Sequence, residues 1–390
     1  MTLPLSIYIH IPFCTVKCGY CDFNAYAGMD GLKFAYTAAV IDEIRRLPRS
    51  LFARPIATVA FGGGTPGEMT PDQIGSILAA IQSRFTIVRG AEISLEANPG
   101  TVDGEALNSI RRAGVTRLSL GAQSFDPAEL AFLDRIHSPE ATVASVGLAR
   151  AARFDSVGLD LIYGLPSQTT GSWEQNLHRA IALGVDHVST YGLTVELGTP
   201  LAARVAAGQV VLPDDDCLAD MYEHGSDVLL AAGFTQYELS NWARPGHESR
   251  HNQVYWRDGH YLGIGAGAHG YLDGERYENI AHPRSYVVAL ESAETDAEWP
   301  ARCNAYFSPT SVAMADFVTL RLRLLEGLRL NDFVAKFGRP LGEVFGPVLN
   351  RCTDAGVLEF ADGSVRLTPR GRLLHGEVAV QLLDHAQGAT

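Results

Sequence analysis

Three cysteines lie within the eight residues from Cys14 to Cys21, spaced C-x3-C-x2-C, directly after the alternating run Leu5-Ser6-Ile7-Tyr8-Ile9-His10-Ile11. A strand therefore delivers three thiols on one short loop, and the fold must leave that loop room for a shared ligand. Three thiolates can hold three irons of a [4Fe–4S] cube, leaving the fourth iron open to a substrate or cofactor. A structural zinc site needs four closed ligands, usually as two separated pairs. Cys217, Cys303 and Cys352 are isolated and far along the chain. Unliganded thiols would make the tight spacing a coincidence.

At 390 residues the chain has room for one large α/β unit and a smaller one. A net charge of -13 argues against a non-specific nucleic-acid binder, which carries a basic footprint. The start Met1-Thr2-Leu3-Pro4-Leu5 has no positive charge before Lys17 and no apolar core of leader length, and reads as cytoplasmic. No uncharged run approaches the roughly 20 residues of a membrane span. Six cysteines, three of them clustered, suit a reducing compartment and metal binding better than a disulfide framework.

Apolar, β-rich runs at 5–11, 56–61, 92–97, 117–122, 156–163 and 187–193 alternate with helical patterns. Thr70-Pro71-Asp72-Gln73 is a capping box, and Asp126-Pro127-Ala128-Glu129 repeats that arrangement. Gly114 and Gly184 stand where left-handed C-caps are expected. Six β/α repeats imply an α/β fold, a partial (β/α)6 barrel with active residues after the strand C-termini. We expect the core at 1–200, an extension at 201–300 and a small winged-helix-like cap at 301–390. Residues 201–232 read as helical, and 234–290 as an ordered surface of little periodicity. In the cap, Leu320–Leu330 and Phe333–Phe345 read as helices, followed by a hairpin near Gly363.

The strand ends carry polar or glycine-rich groups: Gly62-Gly63-Gly64-Thr65-Pro66, Glu96-Ala97-Asn98-Pro99-Gly100, Gln123-Ser124-Phe125, and Asp160 before Tyr163-Gly164-Leu165-Pro166. A glycine run lets backbone N–H groups approach an anionic or zwitterionic ligand, although it is often a plain turn. Glu96 and Asp160 could equally be capping or salt-bridged carboxylates, but their place on one rim favours a ligand. Arg135 could grip a carboxylate bidentately or form an ordinary surface ion pair.

The cysteine spacing resembles that of the radical S-adenosylmethionine (SAM) superfamily, which implies SAM chelating the open iron and reductive cleavage of its sulfonium. Together with Tyr8-Ile9-His10-Ile11-Pro12-Phe13, the strand-end motifs look like the oxygen-independent coproporphyrinogen-III-oxidase family, over residues 5 to 380. The resemblance implies a cluster on Cys14, Cys18 and Cys21. It implies SAM contacts from Tyr8, Tyr20, Gly63, Gly64, Thr65, Glu96, Gln123, Arg135 and Asp160, with the Tyr20 ring against adenine.

Within that family the chain departs from the oxidases. They resemble one another in a longer segment before the cluster loop, which helps hold a second SAM, and in a further cysteine where this chain has Phe23. Ser249-Arg250-His251-Asn252-Gln253-Val254-Tyr255-Trp256 instead resembles the H-N-x-x-Y-W stretch of a haem-chaperone branch. That implies haem binding through His251, Asn252, Tyr255 and Trp256, and transfer to acceptor haemoproteins, membrane respiratory proteins among them, with no oxidase activity. The bland reading is an aromatic corner with His251 bonded to a carbonyl. His269, in Gly-Ala-His-Gly, is a second histidine candidate. Arg321 stands where relatives usually show glycine, a difference that bears on how the cap packs. The alternatives are a radical-SAM decarboxylase of coproporphyrinogen III and a pure iron–sulfur scaffold.

Overall fold

Alternation along the parallel strands divides the molecule into an apolar shell and a polar interior. The computed structural model describes residues 4–388; Met1–Leu3, part of the stretch read as a cytoplasmic start, lie outside the described residues. The six expected strands form as β1 (Leu5–Ile11), β2 (Ile56–Gly63), β3 (Ile87–Ala97), β4 (Arg117–Gln123), β5 (Ser156–Tyr163) and β6 (His187–Gly192). The helices α1 (Lys33–Arg45), α2 (Pro71–Arg84), α3 (Gly104–Ala113), α4 (Pro139–Ala151) and α5 (Thr170–Ala182) connect them in turn.

Successive side chains on a strand point to opposite faces. One set, including Ile7, Ile9, Val59, Leu95, Leu120, Leu159 and Val188, packs with the helices into a single buried core. The other set carries Tyr8, Glu96, Ser119, Asp160 and Ser189. Parallel register places Glu96 beside Ser119 and Asp160 beside Ser189.

The extension completes this sheet. Its strands β7 (Thr235–Glu238) and β8 (Asn241–Ala243) add antiparallel to the β6 edge. On the other side β9 (Tyr261–Ile264) pairs parallel with β1 and is a seventh parallel strand. Antiparallel β10 (His269–Leu272), β11 (Glu275–Asn279) and β12 (Arg302–Phe307) follow. The twelve-stranded sheet stays open, in the order β12-β11-β10-β9-β1-β2-β3-β4-β5-β6-β8-β7. Residues 234–290 therefore contain strands where little periodicity was expected, because strands this short give too few alternations to detect.

Other expectations shift. Thr70 and Gln73 form the capping box of α2. Asp126 caps the short helix Pro127–Phe132, but Glu129 does not reciprocate: Ser124 and Asn176 donate to its carboxylate. Residues 201–232 hold two helices, Pro200–Ala206 and Asp215–Ala231, separated by Gly208 at positive φ and by Pro213. The C-terminal helix Thr310–Leu322 ends where a helix was expected to begin, and Leu328–Arg329 joins a small sheet with Leu358–Ala361 and Ser364–Leu367. The expected helix at 333–345 is divided between Leu330–Phe337 and Leu341–Asp354, because Gly338 and Pro340 end the first. Arg321 turns into its own module, pairing with Asp332 under the ring of Phe317. No helix among the described residues is long and apolar enough to cross a membrane.

One buried carboxylate ties the extension to the core. Glu43 of α1 is 1% exposed and accepts from the Gly265 N–H at 2.9 Å, Asn279 Nδ2 at 2.7 Å and the Tyr286 hydroxyl at 2.6 Å. Burial outweighs these donors and pushes its pKa up to about 7. A raised carboxylate binds its proton more tightly folded than unfolded, so its stabilising contribution is full below the unfolded value and fades as pH rises through about 7. Comparing urea unfolding of the parent and Glu43→Gln from pH 5 to pH 8 isolates this group. The parent should lose up to about 3 kcal/mol more than the variant over that range. Parallel pH profiles would contradict the assignment.

Candidate cofactor site

The cysteine loop is pre-shaped by bonds from several elements. The Glu68 carboxylate accepts from the Thr15 N–H at 2.5 Å and its hydroxyl at 2.7 Å. Asp134 accepts from the Gly19 N–H at 3.0 Å, and Asn24 Nδ2 donates to the carbonyls of Ala266 and Ala281. The glycine run packs directly against this loop: the Gly64 and Thr65 N–H groups donate to the Ile11 and Phe13 carbonyls, both at 2.8 Å. A Cβ on Gly64 would lie 2.7 Å from the Phe13 carbonyl oxygen. The N–H groups expected to face a ligand are thus occupied within the protein, and the glycines serve close approach of two loops.

Cys14, Cys18 and Cys21 are half-buried, unpaired, and line one cavity of about 400 Å³. Tyr20, Gly63, Gly64, Thr65, Glu96, Gln123, Arg135 and Asp160 line it as well. Tyr8 lies just outside, in an adjoining recess that shares Gly63 and Glu96 with this cavity. Burial pushes the thiols of Cys14 and Cys21 up, so holding them as thiolates requires a cation in their midst. Among the described residues no three His, Cys, Asp or Glu side chains are placed to hold a single metal ion. The thiols border a volume instead, which suits a cube whose irons take one thiolate each.

The opposite wall has unmet polar groups. Arg135 is no surface ion pair: it donates to Asn98 Oδ1 at 2.5 Å, to the Gly121 carbonyl at 2.7 Å and toward Cys18 Sγ at 3.6 Å. Its Nε and Gln123 Oε1 are buried without partners. Gln123 also sits at φ 64, a costly conformation for a residue with a side chain and one that concentrates at functional sites. Glu96 opens onto the cavity deep in the barrel, where burial and then the nearby Asp160 push it up to about 8. Asp160 is raised by burial and accepts from the Ser119 hydroxyl at 3.2 Å. These groups fit a zwitterionic, hydroxyl-bearing ligand such as SAM.

Asn98, which links Thr65 to Arg135, and Tyr191 also line the cavity; the sequence reading quoted Asn98 in a strand-end motif without giving it a ligand contact and did not single out Tyr191. Both stand at ends of expected strands, and that position was the available signal.

The residues of the H-N-x-x-Y-W stretch do not converge. They form the helix Arg250–Trp256, whose N-terminal amides are capped from below by the buried carboxylate of Glu92. His251 is 2% exposed and plugs the barrel floor. The Thr58 hydroxyl donates to Ser6, so His251 Nδ1–H donates to Thr58 at 2.7 Å and Nε2 accepts from the Tyr255 hydroxyl at 2.8 Å. No carbonyl is involved, and burial lowers the imidazole to about 3, keeping it neutral. Tyr255, four residues on, shares its face and lines the recess beside Tyr8. Trp256 lies under the Arg323 guanidinium, 4.3 Å from the ring centre, against the C-terminal module. The Asn252 N–H is bonded to the Ser249 cap.

With this geometry in view, comparison with known proteins is direct. Residues 8–180 match the radical SAM superfamily and residues 311–374 the HemN C-terminal domain. The chain is 40% identical to the haem chaperone HemW of Mycobacterium tuberculosis (strain ATCC 25618 / H37Rv), over 97% of this chain and 95% of that protein. It is 37% identical to the haem chaperone HemW of Escherichia coli (strain K12), over 95% and 96%. Among solved structures, coproporphyrinogen III oxidase (HemN) from Escherichia coli superposes with a TM-score of 0.83 at 24% identity, over 97% of this chain and 90% of that one.

Anaerobic reconstitution should yield about four irons and four sulfides per chain. Alanine at Cys14, Cys18 or Cys21 should abolish the visible cluster absorption. Replacing Cys217, Cys303 and Cys352 together should leave the iron content unchanged; iron loss in that triple variant would sink the assignment.

Proposed function

The chain belongs to the radical SAM superfamily and, within it, to the haem chaperone HemW family, and from this we propose that it binds haem and hands it to acceptor haemoproteins. The observation that carries the reading is end-to-end likeness to the chaperones, 40% over 97% of the chain. The likeness to the oxidase, at 24% identity, speaks for the architecture alone.

In this reading Cys14, Cys18 and Cys21 hold three irons of a [4Fe–4S] cluster and SAM closes the fourth. When bound, the cluster supplies an electron to the SAM sulfonium. The protein's part is binding and orientation. Arg135 Nε and Gln123 Oε1, otherwise without partners, meet polar groups of SAM. Glu96 and Asp160 accept from its ammonium and ribose hydroxyls, while Tyr20 lies against adenine. Glu96→Gln should weaken SAM binding without removing iron, because the carboxylate stands on a different strand from the thiols. For haem, Tyr255 supplies a wall and His251 holds that tyrosine in place. The acceptors in this reading include membrane respiratory proteins, and the six unpaired cysteines suit action in the reducing cytoplasm.

The decisive test runs two assays on reconstituted protein under anaerobic, reducing, SAM-replete conditions. Coproporphyrinogen III should be recovered unchanged, while haem loaded on the protein should appear in apomyoglobin by its absorption spectrum. Protoporphyrinogen formed above background would overturn the chaperone reading in favour of a decarboxylase.

A further inference from the structure

His251 and His269 differ sharply in availability. The first has both ring nitrogens bonded inside the barrel floor. The second, at the start of β10, has a side chain 69% exposed, and its nearest charged partner is Glu278, 3.7 Å from Nε2. Two recesses meet at His269. One, of about 400 Å³, is walled by Tyr8, Phe23, Tyr255 and Tyr261. The other, of about 590 Å³, is walled by Tyr261, Tyr277 and Tyr306, with Arg276 and Asn304 on its rim. Tyr261 and His269 belong to both, so the two form one cleft bounded by β9, β10, β11 and β12.

We propose that this cleft is the haem site and that His269 is the ligand of the haem iron, the porphyrin lying between the tyrosine walls. The proposal rests on the haem-carrier reading above and names the place where the cargo sits. A flat macrocycle needs aromatic walls for its faces and polar groups for its propionates, and the cleft supplies both: Tyr8, Phe23, Tyr255, Tyr261 and Tyr306 as walls, with Arg276 and Asn304 at the rim. Iron needs an imidazole nitrogen that no other group holds, which His269 offers and His251, bonded at both ring nitrogens, does not. Ligating histidines commonly donate their other N–H to a carboxylate, which sets the tautomer and raises ligand basicity. Glu278 stands in that position, itself held by the Asn304 side-chain amide. Arg276 gives a propionate a cation at the cleft edge, where it now pairs with Asp316 at 3.3 Å. His251 becomes a positioning residue: its bond to the Tyr255 hydroxyl fixes a ring that stacks edge-on against Tyr261, 4.7 Å between centres.

The cleft shares Phe23, Gly63 and Glu96 with the cluster cavity, so the cargo sits beside the cluster loop.

The test is titration of ferric haem, and separately of iron-free protoporphyrin IX, into the reconstituted parent and His269→Ala. Readouts are the Soret band, electron paramagnetic resonance of the haem, iron content and SAM affinity. His269→Ala should bind haem at least tenfold more weakly with a shifted Soret band, and added imidazole should restore the parent spectrum. Protoporphyrin IX, iron content and SAM affinity should match the parent. Unchanged haem spectrum and affinity in His269→Ala would overturn the ligand assignment. Equal loss of haem and protoporphyrin IX would overturn it too, by placing the effect in the walls. A parent that binds neither porphyrin would bring down the haem-carrier reading itself.

Discussion

The structure depends on how it satisfies a polar face buried inside an open parallel sheet. Each central strand gives its aliphatic side chains to the helices, which leaves Glu92, Glu96, Arg117, Asp160 and their neighbours on the inner face. Buried charges must be paired or must hold something. At the floor the protein pairs them itself: Glu92 takes the amides of the helix Arg250–Trp256 and lies 3.7 Å from Arg117. At the rim the pairing is left incomplete. Burial and the nearby Asp160 raise the proton affinity of Glu96, burial raises that of Asp160, and Arg135 and Gln123 keep atoms without partners. An unmet polar rim opposite three thiols is the arrangement a bound cofactor completes.

This division explains why much of the fold and part of the site could be read from the chain. Strands β1 to β6 are long enough for alternation to show, and each ends in a polar or glycine-rich group. The three thiols announced themselves by spacing. Strand β9 was missed because Tyr261–Ile264 offers only four residues, and its pairing with β1 depends on the whole sheet being in place. The glycine run was read for ligand binding, yet its amides close against Ile11 and Phe13, which only tertiary contact reveals. The H-N-x-x-Y-W stretch was expected to bind haem through His251, Asn252, Tyr255 and Trp256 together. On a helix, His251 and Tyr255 share a face, whereas Trp256 is turned about 100° from Tyr255 and meets the C-terminal module instead.

The C-terminal module bears on the same site through charge. Arg323 reaches the fully buried Glu238 at 3.1 Å while covering Trp256, and Arg372 donates to Gln236 at 3.2 Å. Both contacts fall on β7, the sheet edge opposite the aromatic cleft. Arg276 and Lys336 make the corresponding ties near the cleft, to Asp316 and Asp258. The module thus makes ties near both edges of the open sheet. Phe23, 64% exposed, stands between the two cavities. A single loop therefore shapes both the cofactor cavity and the proposed cargo cleft.

The central claim is that the unmet groups on the rim of β3 to β5 and the three thiols form one cofactor site. Electron paramagnetic resonance of the dithionite-reduced, reconstituted protein with and without SAM tests it most directly. The account predicts a [4Fe–4S]⁺ signal whose g-values shift on adding SAM, because the cofactor joins the open iron. A reduced-cluster spectrum identical with and without saturating SAM would contradict it.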